Sequence, residues 1–110
     1  MENEEIKKLI LEARETTGIN RLATIGVELS SWYATLSESY LILEESRAEL
    51  WMQLRKEDCK SDTMADRKYA LTEQGKQWNR LRIQLKYIEK VVSSIKLKIN
   101  IKNNEAHGLY

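Results

Sequence analysis

The stretch KQWNRLRIQLKYIEKVVSSIKLKINIK, residues 76–102, decides the fold of this chain. Its apolar residues recur at alternating steps of three and four, the spacing that places side chains on one face of an α-helix. We call this set the C-terminal seam; it consists of Trp78, Leu81, Leu85, Ile88, Val92, Ile95 and Ile99. Because no proline interrupts the pattern, it predicts one long helix over residues 63–106.

A second, less regular seam predicts another long helix over residues 20–59. Its positions are Leu22, Ile25, Leu29, Trp32, Leu36, Tyr40, Leu43, Leu50 and Leu54, with Arg47 at the one polar place. The link from Ser61 to Thr63 is only long enough to reverse the chain, and Thr63 with Asp66 predicts a capping box at the start of the next helix. We therefore expect a long antiparallel, coiled-coil-like hairpin.

The N-terminal segment, residues 1–19, is predicted to be a short amphipathic helix followed by a linker. Gly18 is expected to end this helix in the left-handed conformation, and Asn20 is expected to cap the next one. The apolar side of the short helix carries Ile6, Leu9, Ile10 and Ala13. The chain of 110 residues is thus predicted to be a single all-α domain.

The composition excludes several classes of protein. With no proline and only four glycines, strands have almost nowhere to turn. Cys59 is the only cysteine, so no disulfide forms within the chain. The apolar runs are too short to span a bilayer or to act as a signal peptide. We expect a cytoplasmic protein with no membrane partner.

Catalytic and metal-binding patterns are also missing from the sequence. His107 is the only histidine, and Ser93 and Ser94 have no histidine base to activate them. Gly75 is isolated, so it is expected to be a point of close packing and not part of a phosphate-binding loop. We predict no enzyme activity, no catalytic residue, no metal site and no cofactor.

A second apolar set lies on the predicted third helix, on the face opposite the C-terminal seam. It consists of Ile83, Tyr87, Leu97 and Ile101. A helix that is apolar on two faces requires two neighbours, and the N-terminal helix is too short to cover this length. We therefore expect a homo-oligomer with Ile83, Leu97 and Ile101 in its interface.

Opposite charges accumulate in the two halves of the chain, although the net charge is only +1. Residues 1–63 hold thirteen acidic against eight basic side chains, whereas residues 64–110 hold ten basic against four acidic ones. This asymmetry predicts either a nucleic-acid or membrane partner, or two helices that neutralise each other. Neutralisation requires that the basic helix face the acidic residues Glu28, Glu38, Glu44, Glu45 and Glu49.

Cations interleaved with an aromatic residue are typical of single-stranded nucleic-acid binding, in which cations contact phosphates and rings stack on bases. In an antiparallel hairpin, residues 96–102 lie opposite residues 20–26, whose only charge is Arg21, so this end is expected to be unpaired. We predict that Tyr87 stacks on bases. Phosphate contacts are predicted for Arg80, Arg82, Lys86, Lys90, Lys96, Lys98 and Lys102.

Residues from about 31 to 110 resemble small helical proteins that tailed bacteriophages encode beside replication and recombination functions. The resemblance rests on Trp32-Tyr33-Ala34, Lys60-Ser61-Asp62 with Ala65-Asp66-Arg67, Lys76-Gln77-Trp78, Leu85 to Lys90, Ser93 to Lys96, and Asn103 to Tyr110. In organisation the chain is similar to the UvsY-type recombination mediators. Those proteins bind single-stranded DNA, form rings, and help to load a RecA-type recombinase in place of a single-strand-binding protein. The resemblance implies these partners, a location in the host bacterial cytoplasm, and DNA contacts on the basic third helix.

Three functions are compatible with the sequence. The first is a phage recombination accessory protein that binds single-stranded DNA as a homo-oligomer. The second is a phage anti-defence protein, such as an anti-CRISPR, that docks on a host protein through the same surfaces. The third is a structural coiled-coil adaptor in which the opposite charges only fix the antiparallel pairing.

Overall fold

The described part of the computed structural model, residues 3–57 and 60–108, consists of four helices and contains no strand. The helices are α1 (Glu4–Glu15), α2 (Ile19–Glu57), α3 (Asp62–Leu71) and α4 (Glu73–Gly108). The predicted all-α class is confirmed. Side chains are described as far as residue 105, so the predictions for Cys59 and for the side chain of His107 lie outside the described residues.

The chain divides into two compact units. The first comprises residues 1–34 and 86–110, and so contains α1, the start of α2 and most of α4. The second comprises residues 35–85, and so contains the rest of α2, α3 and the start of α4. Both seams predicted from the sequence are confirmed, because every apolar position in them is buried or half-buried.

The first unit holds most of the buried apolar side chains. Leu22, Ile25 and Leu29 of α2 and Ile88 of α4 have no exposed surface, and Ile95 of α4 is almost as fully buried. Burying each such side chain contributes about 1.5–3 kcal/mol to folding, so this cluster is the main stabilising element of the unit. The four apolar positions predicted in the N-terminal helix are also buried; they are Ile6, Leu9, Ile10 and Ala13.

Hydrogen bonds cap the start of α1 and join the end of α1 to α2. The Asn3 side chain accepts hydrogen bonds from the backbone N–H groups of Glu5 (2.9 Å) and Ile6 (3.3 Å), which satisfies two donors left free at the helix start. Near the other end, the Glu12 carboxylate accepts two hydrogen bonds from the Arg21 guanidinium of α2, one of them 2.6 Å long. These hydrogen bonds lower the pKa of Glu12, so the link between the two helices stays charged at neutral pH.

The junction between α1 and α2 differs from the prediction. No described glycine has a positive φ, so Gly18 does not end α1 in the left-handed conformation. Instead Thr16 is extended (φ −80°, ψ 136°), and its N–H closes the helix by donating to the Glu12 carbonyl at 2.8 Å. The predicted cap at Asn20 is also wrong, because α2 already begins at Ile19 and the Gly18 carbonyl accepts its first hydrogen bond. Three non-helical residues make the turn without left-handed backbone.

The predicted continuous helix over residues 63–106 is also wrong, since the structure divides it at Thr72. Thr72 is extended (φ −72°, ψ 157°), and its N–H and hydroxyl both donate to the Tyr69 carbonyl, at 3.0 and 2.6 Å. The hydroxyl oxygen of Thr72 also accepts from the Gly75 N–H at 3.0 Å. One threonine side chain therefore ends α3 and caps α4.

The start of α3 lies slightly before the predicted position. Ser61 caps this helix, since its hydroxyl accepts a hydrogen bond from the Met64 N–H at 3.2 Å. The capping box predicted from Thr63 is therefore replaced by a serine cap two residues earlier. Asp66, its predicted partner, instead accepts a hydrogen bond from the Trp51 indole N–H at 2.8 Å.

Gly75 is confirmed as a point of close packing. A Cβ atom built at this position would lie 1.9 Å from the carbonyl oxygen of Tyr69 and 2.7 Å from its carbonyl carbon. Backbone atoms cannot move aside as the end of a flexible side chain can. Gly26 in α2 is different, because a Cβ there would meet only the Ile95 side chain, at an ordinary 3.6 Å.

We therefore expect opposite effects from alanine at these two helical glycines. Gly75→Ala should lower the free energy of unfolding by about 2–3 kcal/mol, because the α3–α4 junction has to open to admit the methyl group. Gly26→Ala should raise the free energy of unfolding by about 0.5–1 kcal/mol, because alanine favours the helix and meets no clash. Urea denaturation of both variants measures this, and equal effects would contradict the close packing at Gly75.

Candidate nucleic-acid interface

Three of the predicted phosphate contacts line one open groove in the first unit. Lys86, Lys90 and Lys96 are exposed and lie on α4, where they flank the buried seam. The groove has a volume of about 780 Å³. Its other lining residues are Ser30, Tyr33, Ile88, Glu89, Val92 and Ser93. Cations, hydroxyl groups and an aromatic ring are thus brought together on one surface.

One carboxylate shares the groove with the three lysines. The Tyr33 hydroxyl donates a hydrogen bond to Glu89 Oε1 at 3.2 Å. Desolvation raises the pKa of Tyr33, and the negative charge of Glu89 raises it further, so the phenol stays protonated at neutral pH. The groove lining therefore keeps an excess of positive charge, with three ammonium groups against one carboxylate.

The acidic side chains of α2 do not neutralise these lysines. Glu44 accepts hydrogen bonds from two neutral groups, the Trp78 indole N–H at 2.6 Å and the Tyr40 hydroxyl at 3.0 Å. Within each unit, and among the described residues, no ion pair joins a carboxylate of α2 to a cation of α4. The ion pairs found there are Glu4–Lys7, Glu12–Arg21, Arg55–Asp62 and Glu73–Lys76.

The prediction that Lys98 is unpaired is wrong. Its ammonium group donates a hydrogen bond of 3.0 Å to the Ala13 carbonyl, one of the free carbonyls in the last turn of α1. A cation at this position also favours the negative end of the helix dipole. The prediction compared Lys98 only with α2, and so it missed a partner on α1. Lys102 is half-buried near the end of α4.

Tyr87 also contacts α1. Its hydroxyl accepts a hydrogen bond from the Arg14 guanidinium, while 41% of the residue remains exposed. This contact orients the ring on the surface of the first unit. Stacking of Tyr87 on bases stays a prediction.

The two predicted arginines lie in the second unit and do not line the groove. Arg82 packs on Trp78, with its guanidinium carbon 5.4 Å from the ring centroid, and donates to the Asn79 side chain at 2.9 Å. Arg80 is exposed and lines a separate cavity of the second unit. The predicted phosphate-contact residues thus have different surroundings: Lys86, Lys90 and Lys96 line the groove, Arg80 lines a cavity of the second unit, Arg82 packs on Trp78, and Lys98 caps α1.

A cluster of aromatic and cationic side chains around Trp78 was not predicted. The Tyr40 ring stacks on Trp78 with centroids 6.1 Å apart, and the Tyr69 ring meets it edge-on at 6.2 Å. Arg47 covers the same indole, at 4.6 Å from guanidinium carbon to centroid. The signal was present in the sequence, since Arg47 occupies a seam position among aromatic residues, where a cation–π contact can hold its charge.

The apolar residues predicted for an oligomer interface are exposed in the single chain. Ile83 is 56%, Leu97 is 59% and Ile101 is 48% accessible. Isolated exposed apolar residues are common, but three on one helix leave a substantial apolar area in contact with water. Their place in an interface stays a prediction.

Comparison of the chain with protein-family models, with curated proteins and with solved structures gives no match. Among the described residues, no helix combines the length and the apolar character needed to cross a membrane.

The contact between Lys98 and α1 leads to a stability prediction. Lys98→Gln should lower the free energy of unfolding by about 1 kcal/mol, because the Ala13 carbonyl loses a charged donor at the C-terminal end of α1. Lys96→Gln, on the same helix but exposed, should leave stability within about 0.5 kcal/mol of the parent. Urea denaturation of the two variants is the measurement, and an unchanged Lys98→Gln variant would show that the hydrogen bond is not stabilising.

Proposed function

We propose that the protein binds single-stranded DNA through the groove of the first unit and acts, as a homo-oligomer, as a recombination accessory protein. The observation that carries the proposal is the exposure of Lys86, Lys90 and Lys96 along one groove without a carboxylate of α2 to neutralise them. Cations left unpaired on a protein surface attract polyanions and release the counterions bound to them.

The groove suits a single strand better than a specific duplex sequence. The ammonium groups are point charges that contact phosphates without reading base edges. The hydroxyl of Ser93 supplies a further donor for phosphate oxygens, and Tyr33 supplies a ring on which a base stacks. In this mechanism no covalent bond is made or broken. The protein holds the strand in an extended path for another protein to use.

Oligomerisation is part of the proposal because one groove offers few contacts. Three lysines give weak binding at physiological salt, whereas several linked copies bind one strand with much higher avidity. The exposed Leu97 and Ile101 lie on α4 of the first unit and are proposed to meet a second copy, with Ile83 contributing from the second unit. Tyr87 and Lys102 are proposed to make additional DNA contacts. Lys98 is proposed to hold α1 in place through its hydrogen bond to Ala13.

The UvsY-like organisation supports a mediator role and a RecA-type recombinase or single-strand-binding protein as partner. Such mediators form rings, and self-association is proposed here as well. Within the first unit, contacts pair rising residue numbers of α2 with falling numbers of α4, as in Gly26 with Ile95 and Tyr33 with Glu89. This order supports the antiparallel hairpin pairing that we propose for the two helices.

DNA binding is tested with the triple variant Lys86→Gln, Lys90→Gln, Lys96→Gln. Glutamine keeps helix propensity and removes only charge, so helicity and stability should be preserved. Affinity for a labelled single-stranded oligonucleotide should fall, and the slope of log affinity against log salt should shrink by about 0.7 for each phosphate that the variant no longer neutralises. Fluorescence anisotropy at several salt concentrations measures both quantities.

The matched control removes three lysines from elsewhere. Lys8, Lys56 and Lys60 are exposed and lie outside the groove, so changing them to glutamine alters the net charge equally. The control should retain most of the affinity and the parental salt slope. If both triple variants bind alike, attraction depends on net charge and not on the groove; a parent that does not bind single-stranded DNA favours docking on a protein instead.

Self-association is tested with the double variant Leu97→Gln, Ile101→Gln. The parent should sediment as a species larger than one chain at micromolar concentration, and the variant should shift towards the monomer, because polar side chains remove the apolar contact area. Sedimentation velocity is the measurement, with circular dichroism to verify equal helicity. A parent that is monomeric at these concentrations would contradict the proposed assembly.

A further inference from the structure

A second cavity, of about 410 Å³, lies within the second unit at the junction of α3 and α4. Its lining includes three cationic side chains and one carboxylate: Arg47, Lys76, Arg80 and Asp66. The carboxylate is already engaged, since Asp66 accepts the hydrogen bond from the Trp51 indole N–H. With three cations against this one carboxylate, the lining carries a net positive charge.

Two buried donors in this lining have no hydrogen-bond partner among the described residues. Tyr69 is only 3% exposed, and its hydroxyl makes no hydrogen bond. The Nε atom of Arg47 is also buried and also makes no hydrogen bond. A buried donor without an acceptor is costly, and most buried polar groups in folded proteins are satisfied. A site that keeps two such donors beside a cationic cavity is suited to an anionic ligand.

The surroundings restrict what that ligand can be. Both groups can donate hydrogen bonds at neutral pH. Burial raises the pKa of Tyr69 and keeps its phenol protonated, and the guanidinium of Arg47 is always protonated. Gly75 lines the cavity in the first turn of α4, where the helix dipole favours negative charge. Trp78 is covered by Tyr40 and Arg47, so its ring is not available to stack on a base. Recognition therefore depends on the anionic group itself.

We propose that this cavity is a binding site for a phosphate group. Phosphate oxygens accept hydrogen bonds from the Tyr69 hydroxyl and the Arg47 guanidinium, and Arg80 supplies further positive charge at the exposed side, whereas Lys76 is already paired with Glu73 at 3.8 Å. A guanidinium matches the geometry of phosphate, and several tetrahedrally arranged acceptors suit donors that approach from different helices. The site is independent of the lysine groove, because it uses residues of the second unit only.

The test is thermal unfolding in inorganic phosphate against chloride at matched ionic strength. Phosphate should raise the melting temperature of the parent in a saturable manner, from which a dissociation constant follows. Tyr69→Phe removes only the hydroxyl. In chloride this variant should melt at or above the parental temperature, because an unsatisfied buried group is gone; in phosphate its affinity should be about tenfold weaker, because a hydrogen bond to a charged acceptor is removed.

Further variants keep the test decisive. Arg80→Gln changes an exposed side chain and should also weaken phosphate binding, whereas Lys8→Gln, an equal charge change on α1, should bind phosphate as the parent does. The proposal is overturned if phosphate gives the parent no saturable gain over chloride. It is equally overturned if Tyr69→Phe and Arg80→Gln both retain the parental dissociation constant, since the gain would then come from elsewhere or from the general effect of phosphate on stability.

The source of the phosphate group is resolved with a single-stranded oligonucleotide. If Tyr69→Phe weakens both phosphate and oligonucleotide binding, the cavity takes a backbone phosphate of the strand. If it weakens phosphate binding alone, the cavity takes a free phosphate or a phosphorylated small molecule. Failure of the lysine-groove proposal would give a different result. The triple variant Lys86→Gln, Lys90→Gln, Lys96→Gln would then bind DNA as the parent does and would still respond to phosphate.

Discussion

Burial of the apolar seam of α4 is the constraint on which the rest of the structure depends. In the first unit, Ile88 and Ile95 of this seam lose all or nearly all contact with water, as do Leu22, Ile25 and Leu29 of α2. Once that face is fixed, the helix has no freedom to turn its other faces inward. Burying an unpaired ammonium group would cost far more than burying a leucine gains, so the lysines beside the seam remain at the surface. The positive groove is thus a consequence of how the core packs.

The second unit is organised by polar contacts more than by apolar burial. Of its described residues, Ala65, Tyr69 and Leu85 are the buried apolar ones, and half-buried aromatic and cationic side chains surround them. The Tyr69 carbonyl receives both hydrogen bonds of Thr72 and lies against Gly75, while its ring meets Trp78. One residue therefore joins the helix break to the aromatic cluster and to the proposed phosphate cavity.

The spacing of apolar residues was sufficient to predict the features that depend on the sequence of a single helix. The apolar positions of both seams are buried or half-buried as expected, and the isolated Gly75 is a close contact. The break at Thr72 was not predictable in the same way, because a threonine in an apolar pattern caps a helix only when a carbonyl such as that of Tyr69 is in reach. Lys98 shows the same limit for the site. Its partner, Ala13, lies 85 residues away in the sequence, and no local pattern marks that contact.

The central claim, that the exposed lysines of the first unit contact a DNA strand, is tested most directly by lysine footprinting. The protein is acetylated under limiting conditions with and without a single-stranded oligonucleotide, and modification at each lysine is read by mass spectrometry. We predict protection of Lys86, Lys90 and Lys96, little change at Lys8, Lys56 and Lys60, and low reactivity of Lys98 in both states because of its hydrogen bond to Ala13. Uniform protection of all lysines, or none at the groove, would contradict the claim.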